Sequence, residues 1–416
     1  MSSGITAGGL CRLFPLPSYL SRISDLLPLP TGRRLGLLLI GYLALVVGAI
    51  TLAPFQFAVP ASYHASWMVL DEGWVSDLLL NVVLFLPLGF LLRRTSSAIG
   101  GVRRVLLTGV LLSAAIEIAQ LFLEPRFSSV SDVLANSLGA GAGALLSDAV
   151  GRRLGQGRTL IGHLLLDLPL MGFVYLLVPV MWLDGLASAG APSRLWSMVP
   201  LVSGGVLALA AVAASGAATV WSDDEHRHAF SAGLGLSALL WYFLGAVPAL
   251  RVAPWGIVVG AVLVVLGTPV ARRLWRGAVR HDRRLEPQVV RLLLPLVLLY
   301  LTQLALNGTA SPAAGRGEVA RVGLLRGLER GVGFTLLGYL VAEWRGRREE
   351  PLPRTLLAPV VVAALVIGVL ARFAGGPANG TAVMVAMAAT AFGALLYAFQ
   401  RAHILALLGR AEAPQS

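Results

Sequence analysis

Three neighbouring apolar segments each carry a carboxylate and a carboxamide within about one helical turn. They read DLLLNVVLFLPLGFLLRR from residue 77, AAIEIAQLFLEPR from residue 114 and SDVLANSLGAGAG from residue 131. In each segment the two polar groups are three or four residues apart, so they share one face of a helix. An arginine follows in the loop after the second segment. The candidate polar site consists of Asp77, Asn81, Glu117, Gln120, Arg126, Asp132 and Asn136.

These polar groups are suited to three kinds of function. An ionisable side chain near the centre of a bilayer costs ~2.5–3.5 kcal/mol, so it normally faces the bundle interior beside a partner. One function is to bind the head group of a lipid or of a lipid-linked precursor. Another is intramembrane catalysis, with Glu117, Asp77 or Asp132 as a general base or a metal ligand. The third is structural, as a hydrogen-bond network that holds the helices together.

The composition places this site in a membrane protein. Apolar residues make up 56% of the 416 residues, charged residues only 13%, and the mean hydropathy is +0.78. A soluble domain carries about 25% charged residues. Apolar windows of this chain are long enough to cross a ~30 Å hydrocarbon layer, so we predict an all-α, polytopic transmembrane helical bundle of about 12 helices. The windows are residues 35–53, 75–92, 105–123, 130–149, 160–183, 196–220, 229–250, 252–271, 289–307, 322–343, 355–373 and 380–400.

Arginine-rich loops predict the orientation of the bundle. They fall at residues 33–34, 93–104, 152–158, 272–284 and 345–348, and the tail is also basic. By the positive-inside rule, the N-terminus and the C-terminus are then both in the cytoplasm. Two loops fit poorly, because residues 223–228 contain a single Arg and the outer loop before residue 322 contains two. In this orientation the candidate site lies in the outer half of the membrane.

The polar residues occur in the order of a known family signature. Asp77 and Asn81 precede Phe85-Leu86-Pro87-Leu88-Gly89, and the later members are Glu117, Gln120, Arg126, Asp132, Asn136 and Gly139. Over residues 35–150 this pattern resembles the VanZ-like family. The resemblance implies a bacterial membrane protein with a role in the cell envelope, and the member that names the family is associated with resistance to the glycopeptide teicoplanin. It implies no reaction, and it does not account for residues 151–416.

Residues 289–400 resemble a depolarised copy of the first unit. LERGVGFTLLGYLVAEWRGR aligns with LNVVLFLPLGFLLRR, so that Gly89 pairs with Gly338. After a shift of one residue, GALL from residue 143 pairs with an identical GALL from residue 393. We therefore predict a cytoplasmic N-terminal segment (1–33), a VanZ-like four-helix unit (34–150), a middle four-helix region (151–288), a degenerate repeat of the first unit (289–405) and a cytoplasmic tail (406–416).

Two arginines replace polar groups of the first unit in this alignment. Asp77 aligns with Arg326 and Asn81 aligns with Arg330. One hypothesis is that these arginines face the acidic groups of the first unit across a cleft and bind the phosphate of a lipid head group. The alternative is that they pair with Glu329 nearby or extend to the outer membrane surface.

The middle region offers fewer polar signals. Residues 223–228 form an acidic loop with two histidines, which we predict to be solvated. Four tryptophans lie near predicted membrane interfaces, where aromatic belts form: Trp182, Trp196, Trp241 and Trp255.

Several classes of function lack their sequence signals. There is no Walker A loop, dinucleotide fingerprint, HExxH motif or GxSxG elbow. Most arginines lie at the ends of apolar windows, so the net charge of +12 does not indicate nucleic-acid binding. Cys11 is the only cysteine, and we expect no metal and no cofactor. We expect membrane lipids as partners, including anionic or lipid-linked envelope precursors, and a place in the bacterial cytoplasmic membrane. Whether the chain is an enzyme and which oligomeric state it has both stay open.

Overall fold

The described part of the chain is a bundle of helices. The computed structural model describes residues 31–53, 55–59, 65–67, 74–95, 101–123, 128–155, 170–188, 192–220, 224–251, 254–280, 285–306, 316–345, 352–373 and 380–411. The first four helices are α1 (Thr31–Leu52), α2 (Trp74–Thr95), α3 (Val102–Gln120) and α4 (Val130–Gly155). The middle four are α5 (Met171–Ala187), α6 (Met198–Val220), α7 (Asp224–Ala246) and α8 (Pro254–Arg280). The last four are α9 (Leu285–Leu306), α10 (Arg316–Arg345), α11 (Leu352–Phe373) and α12 (Gly380–Ala411).

Short elements complete the described part of the chain. Two 3₁₀ helices, η1 (Pro192–Ser197) and η2 (Val247–Arg251), lie in the middle region. Strands β1 (Ala65–Ser66) and β2 (Ser128–Ser129) are in the loops of the first unit.

The prediction of an all-α multi-pass membrane bundle is confirmed. Each predicted window overlaps one of the twelve described α-helices. Six of these helices are long and apolar enough to cross a membrane, namely α1, α2, α8, α9, α11 and α12. Some boundaries differ, because a helix can continue beyond its apolar part. α4 extends to Gly155 and α12 to Ala411, past the predicted unit limits, and α7 begins at Asp224, so residues 224–228 are helical rather than a loop.

The backbones of α2 and α4 touch where they cross. A Cβ atom at Gly139 would overlap the carbonyl oxygen of Val82, and one at Gly143 would overlap that of Leu86. In the opposite direction, a Cβ atom at Gly89 would overlap a backbone carbonyl of α4. Between apolar helices in lipid, close packing of this kind replaces the hydrophobic driving force. The crossing therefore fixes α2 against α4.

α10 and α12 make the same kind of contact. Gly338 lies against the carbonyl oxygen of Thr390, and Gly393 lies against that of Thr335. In the predicted alignment, each of these contacts corresponds to one between α2 and α4. The packed helix pairs of the first four helices, α1–α2, α1–α3, α2–α3, α2–α4 and α3–α4, also recur among α9 to α12. These observations support the predicted relationship between the two units.

Contacts at one end of the bundle fix the directions of the helices. At the start of α1, Gly32 lies against the ring of His403, which is late in α12. Half-way along, the rings of Tyr42 and Phe392 stack with their centroids 5.6 Å apart. α1 and α12 are therefore antiparallel, and the end of α1 meets the start of α12.

α5 runs antiparallel to both α10 and α12. Gly172, at the start of α5, lies against the side chains of Tyr339 and Gln400, which belong to the later parts of α10 and α12. The Tyr339 hydroxyl donates to Gln400 Oε1 at 2.6 Å. The end of α2 meets the start of α1, because Gly36 lies against Thr95. The opposite end of the bundle therefore holds the ends of α1 and α5 and the starts of α2, α10 and α12. We call it the cap end; its helix termini are Leu52, Trp74, Ala187, Arg316 and Gly380.

Two of the four tryptophans predicted at membrane interfaces are instead in the core. Trp182 is fully buried and donates its indole N–H to the carbonyl oxygen of Leu244 at 2.7 Å. Trp241 is also buried and donates to the carbonyl oxygen of Val174 at 3.2 Å. The aromatic-belt prediction is therefore wrong for both, because neighbouring helices satisfy their N–H groups. Two other tryptophans are exposed, Trp196 at 70% and Trp255 at 80%.

Replacing Gly89 with alanine should separate α2 from α4. The added methyl group would overlap the backbone of α4, whereas the same change at Gly48 in α1 meets no atom of the described residues within 4 Å. Overpacking costs ~1–3 kcal/mol, so Gly89→Ala should lower the unfolding free energy by about that amount and Gly48→Ala should not. Denaturant unfolding in detergent micelles measures both. Equal unfolding midpoints for the two variants would contradict the close crossing.

Candidate functional site: a polar cluster at the cap end

One polar pair joins α2 to α4 at the cap end. Asn81 Nδ2 donates to Asp132 Oδ1 at 2.7 Å. Asn81 precedes Val82, whose carbonyl meets Gly139, so the bond lies beside the backbone crossing. Asp132 is in the first turn of α4, where the helix dipole favours a carboxylate. Both side chains are half-buried, which leaves them partly accessible from outside the bundle.

α3 contributes two buried groups that bind the backbone of neighbouring segments. Glu117 is 6% exposed, and its Oε2 accepts the N–H of Ser129 at 2.8 Å. Gln120 donates Nε2 to the carbonyl oxygen of Thr51, near the end of α1, at 3.0 Å. These bonds tie the end of α3 to α1 and to the segment before α4. The end of α3 and the start of α4 therefore also lie at the cap end.

Asn136 lies one turn further into α4. Its Nδ2 donates to the hydroxyl oxygen of Ser113 at 2.8 Å, which joins α4 to α3. Both residues are buried. Asn136 Oδ1 accepts no hydrogen bond from the residues that the structure describes. A buried acceptor left unpaired costs ~1–3 kcal/mol, so this oxygen favours a donor from a ligand or from water.

The two loops of the first unit pair with each other. β1 and β2 form a parallel pair in which Ala65 faces Ser128 and Ser66 faces Ser129. Ser131 N–H also donates to the carbonyl oxygen of Trp67 at 3.1 Å. Ser129 also binds Glu117 of α3. The paired strands of the two loops therefore lie at the cap end of α3.

The structure brings six of the seven predicted site residues to the cap ends of three adjacent helices. Asp77 is half-buried in the first turn of α2, one turn before Asn81. Arg126 lies outside the described residues, so its predicted role stays a prediction. Within the described ranges, no three His, Cys, Asp or Glu side chains converge to hold a metal ion.

A comparison with protein-family models matches residues 33–151 to the family described as VanZ/LLP1. This segment is a VanZ-like unit. The match comprises α1 to α3 and most of α4, and its limits differ by one residue at each end from the predicted unit 34–150. The hydrogen-bonded polar set of α2, α3 and α4 is thus part of the VanZ-like unit. Comparisons with curated proteins and with solved structures give no match.

A second buried polar cluster lies outside the VanZ-like unit, where α5, η1, α9 and α10 meet at the cap end. Glu329 is completely buried, and its Oε2 lies 2.9 Å from Arg194 Nη2. Its other oxygen accepts the Tyr300 hydroxyl at 3.3 Å. Arg194 also donates to the carbonyl oxygen of Ala187 at 2.6 Å. The ion pair thus links α10 to η1 and to the end of α5.

The cluster contains a second carboxyl group. Asp184 is completely buried near the end of α5, accepts the hydroxyl of Ser197 and lies next to the carboxyl group of Glu329. The residues predicted from the sequence do not include Asp184, Ser197, Arg194 and Tyr300. A signal for Asp184 exists, because an acidic residue inside an otherwise apolar helix needs a buried partner.

The structure also places the two arginines of the last unit. Arg326 is 8% exposed, and the charged groups that act on it are Arg194, Glu329 and Arg330. Arg330 donates to the carbonyl oxygen of Leu304 at 3.3 Å. Glu329 binds Arg194 instead of pairing with either neighbouring arginine. A contact between Arg326 and Asp77 across a cleft stays a prediction.

Removing the charge of Glu329 should strongly destabilise the bundle. Glu329→Gln removes the carboxylate bound directly to Arg194, and breaking a buried ion pair costs ~3–5 kcal/mol. The matched control is Asp148→Asn, because Asp148 Oδ1 lies 2.8 Å from Arg93 Nε in a pair whose side chains are 25% and 29% exposed. Exposed ion pairs contribute ~0–1 kcal/mol. Thermal unfolding in detergent compares the two, and a control as unstable as Glu329→Gln would contradict the assigned role of the buried pair.

Proposed function

We propose that this multi-pass membrane protein uses its VanZ-like unit to bind the polar head group of an envelope lipid or lipid-linked precursor. The observation that carries the proposal is the Asn81–Asp132 pair, which is half-buried at the cap end of α2 and α4. Asp77 lies one turn away on the same face of α2. Asp77 and Asp132 place two carboxylates at the cap end. They favour ligands that donate hydrogen bonds, such as head groups with ammonium or hydroxyl groups.

The surrounding helices hold these side chains in fixed positions. Asn81 and Asp132 flank the backbone crossing of α2 and α4, and Glu117 and Gln120 fix the end of α3 to its neighbours. A site carried by rigid helices loses little conformational freedom when a ligand binds. Asn136 Oδ1 offers a further acceptor deeper in the site.

Exposed aromatic side chains support a position of the cap end at the level of lipid head groups. Trp67 is 82% exposed, Phe57 53% and Trp74 39%, and all three lie at or near the start of α2 or in the loop before it. Aromatic side chains of this kind are enriched at the interface between membrane and water. The arginine distribution predicts that this interface is the outer one.

The geometry favours binding over catalysis by Glu117. A carboxylate oxygen that accepts a backbone N–H is less available as a general base, and Glu117 Oε2 binds Ser129 N–H in this way. Its described contact serves to position the loop before α4. Co-purified lipid distinguishes ligand binding from the enzymatic and the purely structural alternatives.

Replacing Asp77 and Asp132 together with asparagine should reduce the lipid that co-purifies with the protein. A charge-assisted hydrogen bond contributes ~1.5–3 kcal/mol, so losing even one weakens binding by roughly ten- to hundredfold. Mass spectrometry of extracted lipids, normalised to total membrane lipid, measures the enrichment. Asp148→Asn is the matched control, because it changes a carboxylate of the same helix outside the cap end.

Three results of this experiment have distinct meanings. A lipid class enriched in the wild type and the control but lost in Asp77→Asn/Asp132→Asn supports the proposed binding function. A correctly folded double variant with an unchanged lipid profile would count against it. A chemically altered lipid that accumulates only with the wild type would favour an enzyme.

A further inference from the structure

Arg326 is a buried cation whose guanidinium lacks a full set of partners. Its side chain is 8% exposed, and Nε donates no hydrogen bond to any residue in the described part of the chain. A guanidinium has five N–H donors and stays charged, so burying it without acceptors is costly. An anion bound to the guanidinium would offset this cost.

The neighbouring charges do not neutralise Arg326. Glu329 is the acidic group that acts on it, but the two oxygens of Glu329 are bound to Arg194 and Tyr300. Arg194 and Arg330 both add positive charge nearby. The surroundings of Arg326 therefore favour an additional negative charge.

An open strip of α10 lies beside this cation. Gly323 and Gly327 are exposed, and among the described residues no atom lies within 4 Å of the position that a Cβ would take at either. Arg326 and Arg330 are four residues apart and so lie on adjacent turns of one face. Glycine lets a ligand approach the backbone closely. The strip thus gives a ligand access to the two guanidinium groups.

We propose that Arg326 and Arg330 form a phosphate-binding site on α10 that is separate from the polar set of the VanZ-like unit. The planar guanidinium donates two parallel hydrogen bonds to phosphate oxygens, a match that a carboxamide or an ammonium does not provide. The site lies in the first half of α10, towards the cap end, where the head groups of one leaflet are expected. The same chemistry fits the phosphate of a phospholipid and free inorganic phosphate, which the test separates.

The test uses the full chain, purified in maltoside detergent and stripped of lipid. Phosphatidylglycerol is titrated and bound lipid is counted by native mass spectrometry, with diacylglycerol as the matched ligand without phosphate. Arg326→Gln should bind phosphatidylglycerol at least about tenfold more weakly, which corresponds to the loss of ~1.4 kcal/mol. Arg103→Gln, an exposed arginine at the start of α3, should bind like the wild type.

A second variant keeps the test decisive if Arg326→Gln folds poorly. Gly327→Leu fills the open strip without removing a charge and should weaken phosphatidylglycerol binding to a similar degree. Arg326→Lys should restore only part of the affinity, because an ammonium lacks the paired geometry of a guanidinium.

A competition experiment with inorganic phosphate identifies the source of the bound phosphate. Tight, Arg326-dependent binding of phosphatidylglycerol with no competition by millimolar inorganic phosphate assigns the site to a lipid, and effective competition assigns it to free phosphate. Binding that is equal for Arg326→Gln, Gly327→Leu and Arg103→Gln overturns the proposal. The Asp77→Asn/Asp132→Asn variant should leave this binding unchanged, so the two sites can fail independently.

Discussion

The contact between helix backbones at glycine is the constraint on which the rest of the VanZ-like unit depends. In lipid, apolar side chains gain little by leaving one apolar environment for another, so helices associate through close packing and polar bonds. Gly139 and Gly143 let α4 lie against the carbonyl groups of α2, and the Asn81–Asp132 bond forms directly beside that contact. Any side chain inserted there would move the two halves of the polar set apart.

The same constraint recurs with different chemistry at the other end of the sequence. α10 and α12 touch at Gly338 and Gly393 as α2 and α4 do, but α10 carries arginines where α2 carries Asp77 and Asn81. The shared packing preserves the scaffold, while the polar side chains on it are free to differ. One scaffold thus presents a cluster rich in acidic and amide groups and another rich in guanidinium groups, both at the cap end.

The helices are predicted well from the sequence, and so are the helix faces that the polar groups of the first unit share, because both depend on local patterns. Apolar windows of membrane-spanning length identify the helices, and spacings of three or four residues identify shared faces. The Arg194–Glu329 pair joins residues 135 positions apart, and neither residue belongs to a periodic pattern. Trp182 and Trp241 are buried where the sequence predicts a membrane interface. Hydropathy alone does not tell which face of a helix packs against its neighbours.

The stacking of Tyr42 on Phe392 has a consequence for biosynthesis. α1 leaves the ribosome long before α12, because almost the whole chain is made between the two rings. At a synthesis rate of about 5–20 residues per second, the face of α1 that packs against α12 stays without this partner for roughly 20–70 seconds. During that time lipid or an insertion factor must cover it, so the bundle closes only after α12 has been made.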